Sequence, residues 1–146
     1  MIRSLGLLAL VVTFLCGTAE MAAAQSVPDL KGIWTGTSQT IVAGLPPHHP
    51  AMTTAKPAGP NRLTEVKFTT KVDGQDGRRF WGTVSSPSAT DQFVGVILSD
   101  GKTLRFVLPR GVIEATLVNP DTIDLVYTEH ANGISVAATN TWTRQK

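Results

Sequence analysis

From residue 31 onward the chain runs in short stretches rich in Val, Ile, Thr, Phe and Trp, each closed by a turn signal. Eight such stretches stand out, at 31–43, 62–72, 78–85, 90–98, 102–108, 112–118, 122–130 and 133–144. Within them apolar side chains tend to recur at every second position, the period of a strand with one buried face. No stretch after residue 25 carries a helical period. The connections Asp73-Gly74-Gln75-Asp76-Gly77, Ser99-Asp100-Gly101, Pro109-Arg110-Gly111, Asn119-Pro120-Asp121 and Ala131-Asn132-Gly133 are short. Gly and Asn in them tolerate positive φ, and Pro fixes φ at about −65°. Links this short pair successive strands antiparallel, because a parallel partner needs a long crossover. The pattern predicts an all-β fold, an eight-stranded antiparallel up-and-down β-barrel whose closure removes exposed edges. A β-sandwich is the alternative.

One connection breaks the rhythm. Residues 44–61 hold five of the nine prolines and the pair His48-His49, with almost no strand-forming residue. Loops of that length in a compact domain are usually functional or disordered. The expectation divides between a lid and a plain tether.

The first residues follow another plan. Met1-Ile2-Arg3 gives a basic start, residues 5–16 are apolar, and Ala22-Ala23-Ala24 precedes Gln25. This is the layout of a secretory signal peptide at 1–24, leaving one β-barrel domain at 25–146. The apolar stretch falls short of the roughly 20 residues of a membrane-spanning helix, so no stable membrane span is expected after cleavage. The expected location is periplasmic or secreted. Cys16 follows Leu15 rather than a small residue, which argues against lipidation, and residues 25–146 contain no cysteine. Disulfides are therefore absent from the expected domain, and packing must stabilise it. Removing Arg3 and Glu20 leaves 12 basic and 10 acidic residues, a dispersed formal charge of +2. Such a charge gives no footprint for nucleic acid.

Alternation places Gly32, Trp34, Gly36, Ser38, Thr40 and Val42 on one face of the first strand. It places Ile134, Val136, Ala138, Asn140, Trp142 and Arg144 on one face of the last. Closure makes these strands neighbours, so that Arg144 stacks on Trp34 and plugs one end of the barrel. Gly32-x-Trp34 opening the first strand and Arg144 ending the last resemble the calycin pattern of lipocalins, fatty-acid-binding proteins and avidins. The resemblance implies a ligand-holding barrel closed at its base by Trp34, with Gly32 and Arg144 structural. Length and short hairpins look avidin-like; the 44–61 connection departs from avidins, and their biotin-binding pattern is absent. The chain is also similar to small exported bacterial proteins of unassigned function. That resemblance rests on Trp34-Thr35-Gly36-Thr37, Pro47-His48-His49-Pro50, Gly77-Arg78-Arg79-Phe80-Trp81-Gly82-Thr83 and Asn119-Pro120-Asp121-Thr122.

Reactive chemistry finds little footing. Adjacent histidines at His48-His49 seldom both enter one metal shell, and neither His130 nor a nearby acid completes a site, so no metal or other cofactor is expected. No nucleophile elbow occurs. Glu114 and Asp124 lie on neighbouring strands without reason to face inward, and Arg78 and Arg79 point to opposite faces. An enzyme is not expected. A pocket is the better candidate, because ligand sites are largely apolar with a few convergent hydrogen-bonding groups. The expected contacts are Trp34, Ser38, Thr40, Trp81, Asn140 and Trp142, with Thr83 and Thr116 as further polar groups. Small residues at Gly36, Ser38, Gly82, Gly95, Ala115 and Ala138 would leave interior space. The same aromatics also suit plain core filling. The function expected is an exported binding protein holding a small, largely apolar molecule. The alternative is an exported protein-interaction module or inhibitor with a filled barrel, acting through its loops.

Overall fold

The computed structural model describes residues 26–44, 56–58, 61–131 and 133–146; the expected signal segment and His48-His49 lie outside them. Nine strands follow in order: β1 (Gly32–Ala43), β2 (Lys56–Ala58), β3 (Asn61–Asp76), β4 (Arg79–Ser85), β5 (Thr90–Ile97), β6 (Thr103–Val107), β7 (Gly111–Asn119), β8 (Thr122–Ala131) and β9 (Ile134–Arg144). No helix occurs among the described residues.

From β3 to β9 each strand pairs antiparallel with the next. The first strand closes the circle. One edge of β1 pairs with β9, and the other pairs with β3 from Gly32↔Val72 to Val42↔Arg62. The result is a closed eight-stranded up-and-down barrel, the form the calycin resemblance implies, and the sandwich alternative is set aside. The ninth strand, β2, lies along Asn61–Leu63, ahead of the point where β4 meets β3 at Thr69. The long connection therefore carries a short strand, contrary to expectation.

Side chains alternate as the sequence predicts. In β9, Ile134, Val136, Ala138, Asn140 and Trp142 are buried, and the residues between them are exposed. One boundary differs. β3 runs past residue 72 to Asp76, because its register slips between Val72 and Gly74 and then resumes at Gly74↔Trp81 and Asp76↔Arg79. What remains is a two-residue turn, Gly77-Arg78, with Gly77 at φ 56°. Such tight hairpins need positive φ, which glycine adopts without a steric penalty. Arg79 then forms an ion pair with Asp76.

The closed pole is built as expected. Trp34 is fully buried and its Nε1 donates to the Leu30 carbonyl at 3.0 Å. The Arg144 guanidinium lies 4.3 Å from the indole centroid. It donates to the carbonyls of Lys31 at 2.6 Å, Asp29 at 2.7 Å and Pro120 at 3.1 Å, and its Nε stands 3.3 Å from Asp121 Oδ1. Gly32 sits beneath it with φ 127°, a conformation that side chains rarely adopt.

Above this plug lies an aromatic stack. Phe106 meets Phe80 at 4.8 Å, Phe93 at 5.1 Å and Trp142 at 5.7 Å, with interplanar angles of 78°, 59° and 89°. Tilted and edge-to-face contacts of this kind suit the ring quadrupoles. A Cβ on Gly95 would collide with the Phe80 ring, and one on Gly36 with the Asn140 and Trp142 side chains. These glycines face inward as expected, but they seat neighbouring side chains rather than leave space.

Candidate functional site

The other half of the interior is different in kind. A second small apolar cluster, Val42, Ile134 and Val136, packs with Tyr127 near the far ends of β1 and β8. Around and below it sit the buried polar residues Ser38, Thr64, Glu129 and Asn140, while Thr70 lies at the plug, opposite Trp34 in register. Their positions follow from strand parity. Thr64 and Thr70 share the inward face of β3 with Val66 and Val72, and Asn140 shares that of β9 with Ala138 and Trp142. Register brings several together: Tyr127 pairs with Ala138, Ala138 with Thr40, and Thr40 with Thr64.

Five buried polar atoms of the interior have no hydrogen-bond partner among the described residues: Thr64 Oγ1, Glu129 Oε1 and Asn140 Oδ1 on this side, and Thr70 Oγ1 and Trp142 Nε1 toward the plug. Each unpaired group costs about 1–3 kcal/mol, more when charged. The five include acceptors, a donor and hydroxyls that serve as either. Ser38 is better satisfied, with its hydroxyl 3.5 Å from the Thr139 carbonyl.

Tyr127 and Glu129 form the polar head of this region. The phenol donates to Glu129 Oε2 at 2.8 Å. Burial, then the hydrogen bond to Glu129 and its charge, hold the phenol well above its usual range, so it remains a neutral donor. The charge of Asp91, at the start of β5, acts in the same direction, and that of Arg110, in the β6–β7 turn, opposes it. Gly111 makes room for the arrangement: a Cβ there would fall 2.5 Å from Tyr127 Cε2. Because Gly111 pairs directly with Glu129, the missing side chain opens the place over which the Tyr127 ring lies.

The sequence-predicted contacts divide. Ser38, Thr40, Asn140 and Trp142 are on the inward face, Thr40 half-buried and the others buried. Trp34 is also inside, but it belongs to the closed pole beneath Arg144. Trp81 points outward and is 46% exposed. The inward face of β4 is Phe80, Gly82 and Val84, so Trp81 takes the opposite side, over the side-chain-free Gly74. Trp81 is thus removed from the interior group. Thr116 is exposed and Thr83 has the outward parity of Trp81, so neither joins it. Glu114 pairs with Arg105 outside the barrel at 2.5 Å, and Asp124 accepts from Thr141 on the same outer face at 2.7 Å.

Sequence reasoning passed over Thr64, Thr70 and Glu129 as interior polar groups. The signal was present. Glu129 has the same parity as Ile123 and Leu125, so a carboxylate stood on the apolar face of its strand.

Outside the barrel, Trp81 pairs with Val94 and Val94 with Val107, an exposed apolar row across three strands. Val96 extends it between Arg79 and Arg105, its partners in register. Among the described residues no cluster of three or more His, Cys, Asp or Glu is placed to hold a metal ion. No helix among them is long and apolar enough to cross a membrane.

No family model matches the chain, and no curated protein matches it. Among solved structures, an S-type phycobiliprotein lyase, CPES from Guillardia theta, is similar at 13% identity and a TM-score of 0.32. The likeness covers 80% of this chain and 89% of that one. A match this loose transfers neither a ligand nor a residue role, and the barrel stands on its own strand pairing.

Proposed function

We propose that this protein is an exported binding protein that holds a small molecule inside its barrel, in the half away from the Trp34–Arg144 plug. The single observation that carries the reading is the set of buried polar atoms in that half without partners among the described residues, Thr64 Oγ1, Glu129 Oε1 and Asn140 Oδ1, on the inward faces of β3, β8 and β9. Interiors rarely tolerate such atoms unless water or a ligand meets them. The apolar cluster of Val42, Ile134 and Val136 supplies a wall on which a ligand's carbon frame rests. The expectation of a largely apolar molecule is refined accordingly to one with an apolar body and at least one polar group. Ser38, Thr40, Asn140 and Trp142 remain proposed contacts, joined by Thr64, Tyr127 and Glu129. Export, to the periplasm or the medium, is supported by the basic start, the apolar residues 5–16 and the Ala22-Ala23-Ala24 site.

Native mass spectrometry of protein taken from its exported fraction tests both parts. A mass matching residues 25–146 plus a stoichiometric small molecule is the expected result. Absence of the protein from that fraction would refute export, and an intact 146-residue mass would refute cleavage of the signal segment. A mature chain carrying no added mass, and taking none up from an extract of its own cells, would refute the binding reading.

A second reading, the interaction module, is favoured by the outer row of Trp81, Val94 and Val107. Contiguous exposed apolar surface on a soluble domain marks contact sites. A charge in the row, as in Val94→Lys, would then abolish partner binding, whereas interior substitutions would leave it intact.

A further inference from the structure

We propose that the molecule held in the barrel is a cationic amphiphile whose protonated amine pairs with Glu129; this rests on the ligand-binding reading above. Glu129 is only 5% exposed, on the inward face of β8. One of its oxygens accepts from Tyr127, and the other, Oε1, has no hydrogen-bond partner among the described residues. A carboxylate withdrawn from water needs paired charge and full hydrogen bonding, and a single phenol supplies neither in full.

Among the described residues, the nearby arginines leave Oε1 without a hydrogen bond. Arg110 lies exposed in the β6–β7 turn, and Arg62, on β3, donates to the Gly44 carbonyl at 2.6 Å. Neither bonds Glu129 Oε1. An anionic head group would meet the Glu129 carboxylate, and a neutral acceptor would find the Tyr127 proton already committed to it. The missing complement is a donor bearing positive charge, whose hydrogen bonds to carboxylate are the strong kind.

The rest of the molecule is constrained by what lies below. Val136, opposite Glu129 in register, and then Ala138, opposite Tyr127, follow inward on the buried face of β9. Leu125, the partner of Asn140, stands four residues from Glu129 along β8, ~13 Å at strand rise. A linear chain of about ten carbons spans that distance. Decylamine is therefore the matching probe.

The test is isothermal titration calorimetry at neutral pH on protein stripped of bound small molecules, with decylamine, decanol and decanoate. Decylamine is expected to bind about tenfold or more tighter than decanol, with decanoate weakest. Glu129→Gln is expected to erase the difference between decylamine and decanol. The comparison of probes on the unaltered protein needs no variant, so it stands even if Glu129→Gln misfolds. Equal binding of decanol or decanoate, or a folded Glu129→Gln variant that keeps the amine preference, overturns the inference while leaving a ligand-binding barrel. No binding by any probe to protein that also takes up nothing from its cell extract overturns both.

Discussion

Arg144 offers a clean measure of what closes the barrel. In Arg144→Ala the guanidinium that covers the Trp34 ring at 4.3 Å is lost, and with it donors to the carbonyls of Lys31, Asp29 and Pro120. The cation–π contact contributes about 1 kcal/mol. The three carbonyls can be rehydrated, so each bond counts for only about 0.5 kcal/mol, the low end of the usual range. The contact with Asp121 is half in water and adds at most a few tenths of a kcal/mol. Opening a fully buried indole face to solvent adds a little more, through lost packing of the Arg stem. The expected loss is about 3 kcal/mol, a fall in Tm on the order of 10 °C for a domain of this size. Guanidinium chloride melts of residues 25–146, followed by circular dichroism, measure it, and the tryptophan emission should shift to the red. Arg144→Lys should recover less than half, because an ammonium cannot both lie flat on an indole and donate to three separated carbonyls. A loss below about 1 kcal/mol in folded Arg144→Ala would refute the view that this residue seals the pole.

Other expectations follow from single contacts. Asp100 accepts from the amides of Lys102 and Thr103 and the Thr103 hydroxyl, and the Thr103 hydroxyl foremost lowers its carboxyl from 3.8 to about 2. The folded chain thus binds that proton less readily than the unfolded one. Stability from Asp100 is present above pH 3.8 and lost as pH falls toward 2, and Asp100→Asn should flatten that part of a urea-midpoint profile. Tyr127 has the opposite sign: its raised phenol keeps its proton where the unfolded chain releases it above pH 10, so stability falls as pH rises past 10. Tyr127→Phe should remove that alkaline component and cost about 2 kcal/mol at neutral pH, by leaving Glu129 without a donor; paired denaturant titrations check both. Gly95→Ala should cost about 1–3 kcal/mol by driving a methyl into Phe80 and the Arg105 carbonyl, read as a lower melting temperature.

The barrel was largely legible in the chain because two local rules agree along most of it. Period-two alternation sets which face is buried, and short Gly, Asn and Pro turns set antiparallel order. The Trp34–Arg144 pair was legible too, once closure made first and last strands neighbours. The register slip beside Gly74 was not, because a glycine next to a turn reads as loop whether or not the ladder continues. Trp81 was expected inside together with its neighbour Gly82, and alternation admits only one of the two. Arg79, of the same parity, was the clue that this face meets water, while Phe80, Gly82 and Val84 go inside. The polar interior was missed for a related reason. Thr64 and Glu129 sit among apolar neighbours of their own strands, and only cross-strand register brings them to one end of the barrel. That register is set by closure over long sequence separations, and local patterns do not carry it.

The ends of the barrel are not equivalent attachments. Residues 26–31 enter at the plugged pole, where the Leu30 amide donates to Gln75, and the chain leaves there too, with the Gln145 amide donating to Ile33. A twelve-residue β1 separates that pole from the opposite rim, roughly 30 Å of height once strand tilt is allowed for. Anything spliced ahead of Ser26 or behind Lys146, whether a tether, an affinity handle or a fluorescent reporter, grips the molecule by its sealed base. An immobilised sample would present its rim to the solution from either terminus. Two copies joined in tandem would share a base-side junction, so that neither rim is obstructed by the splice.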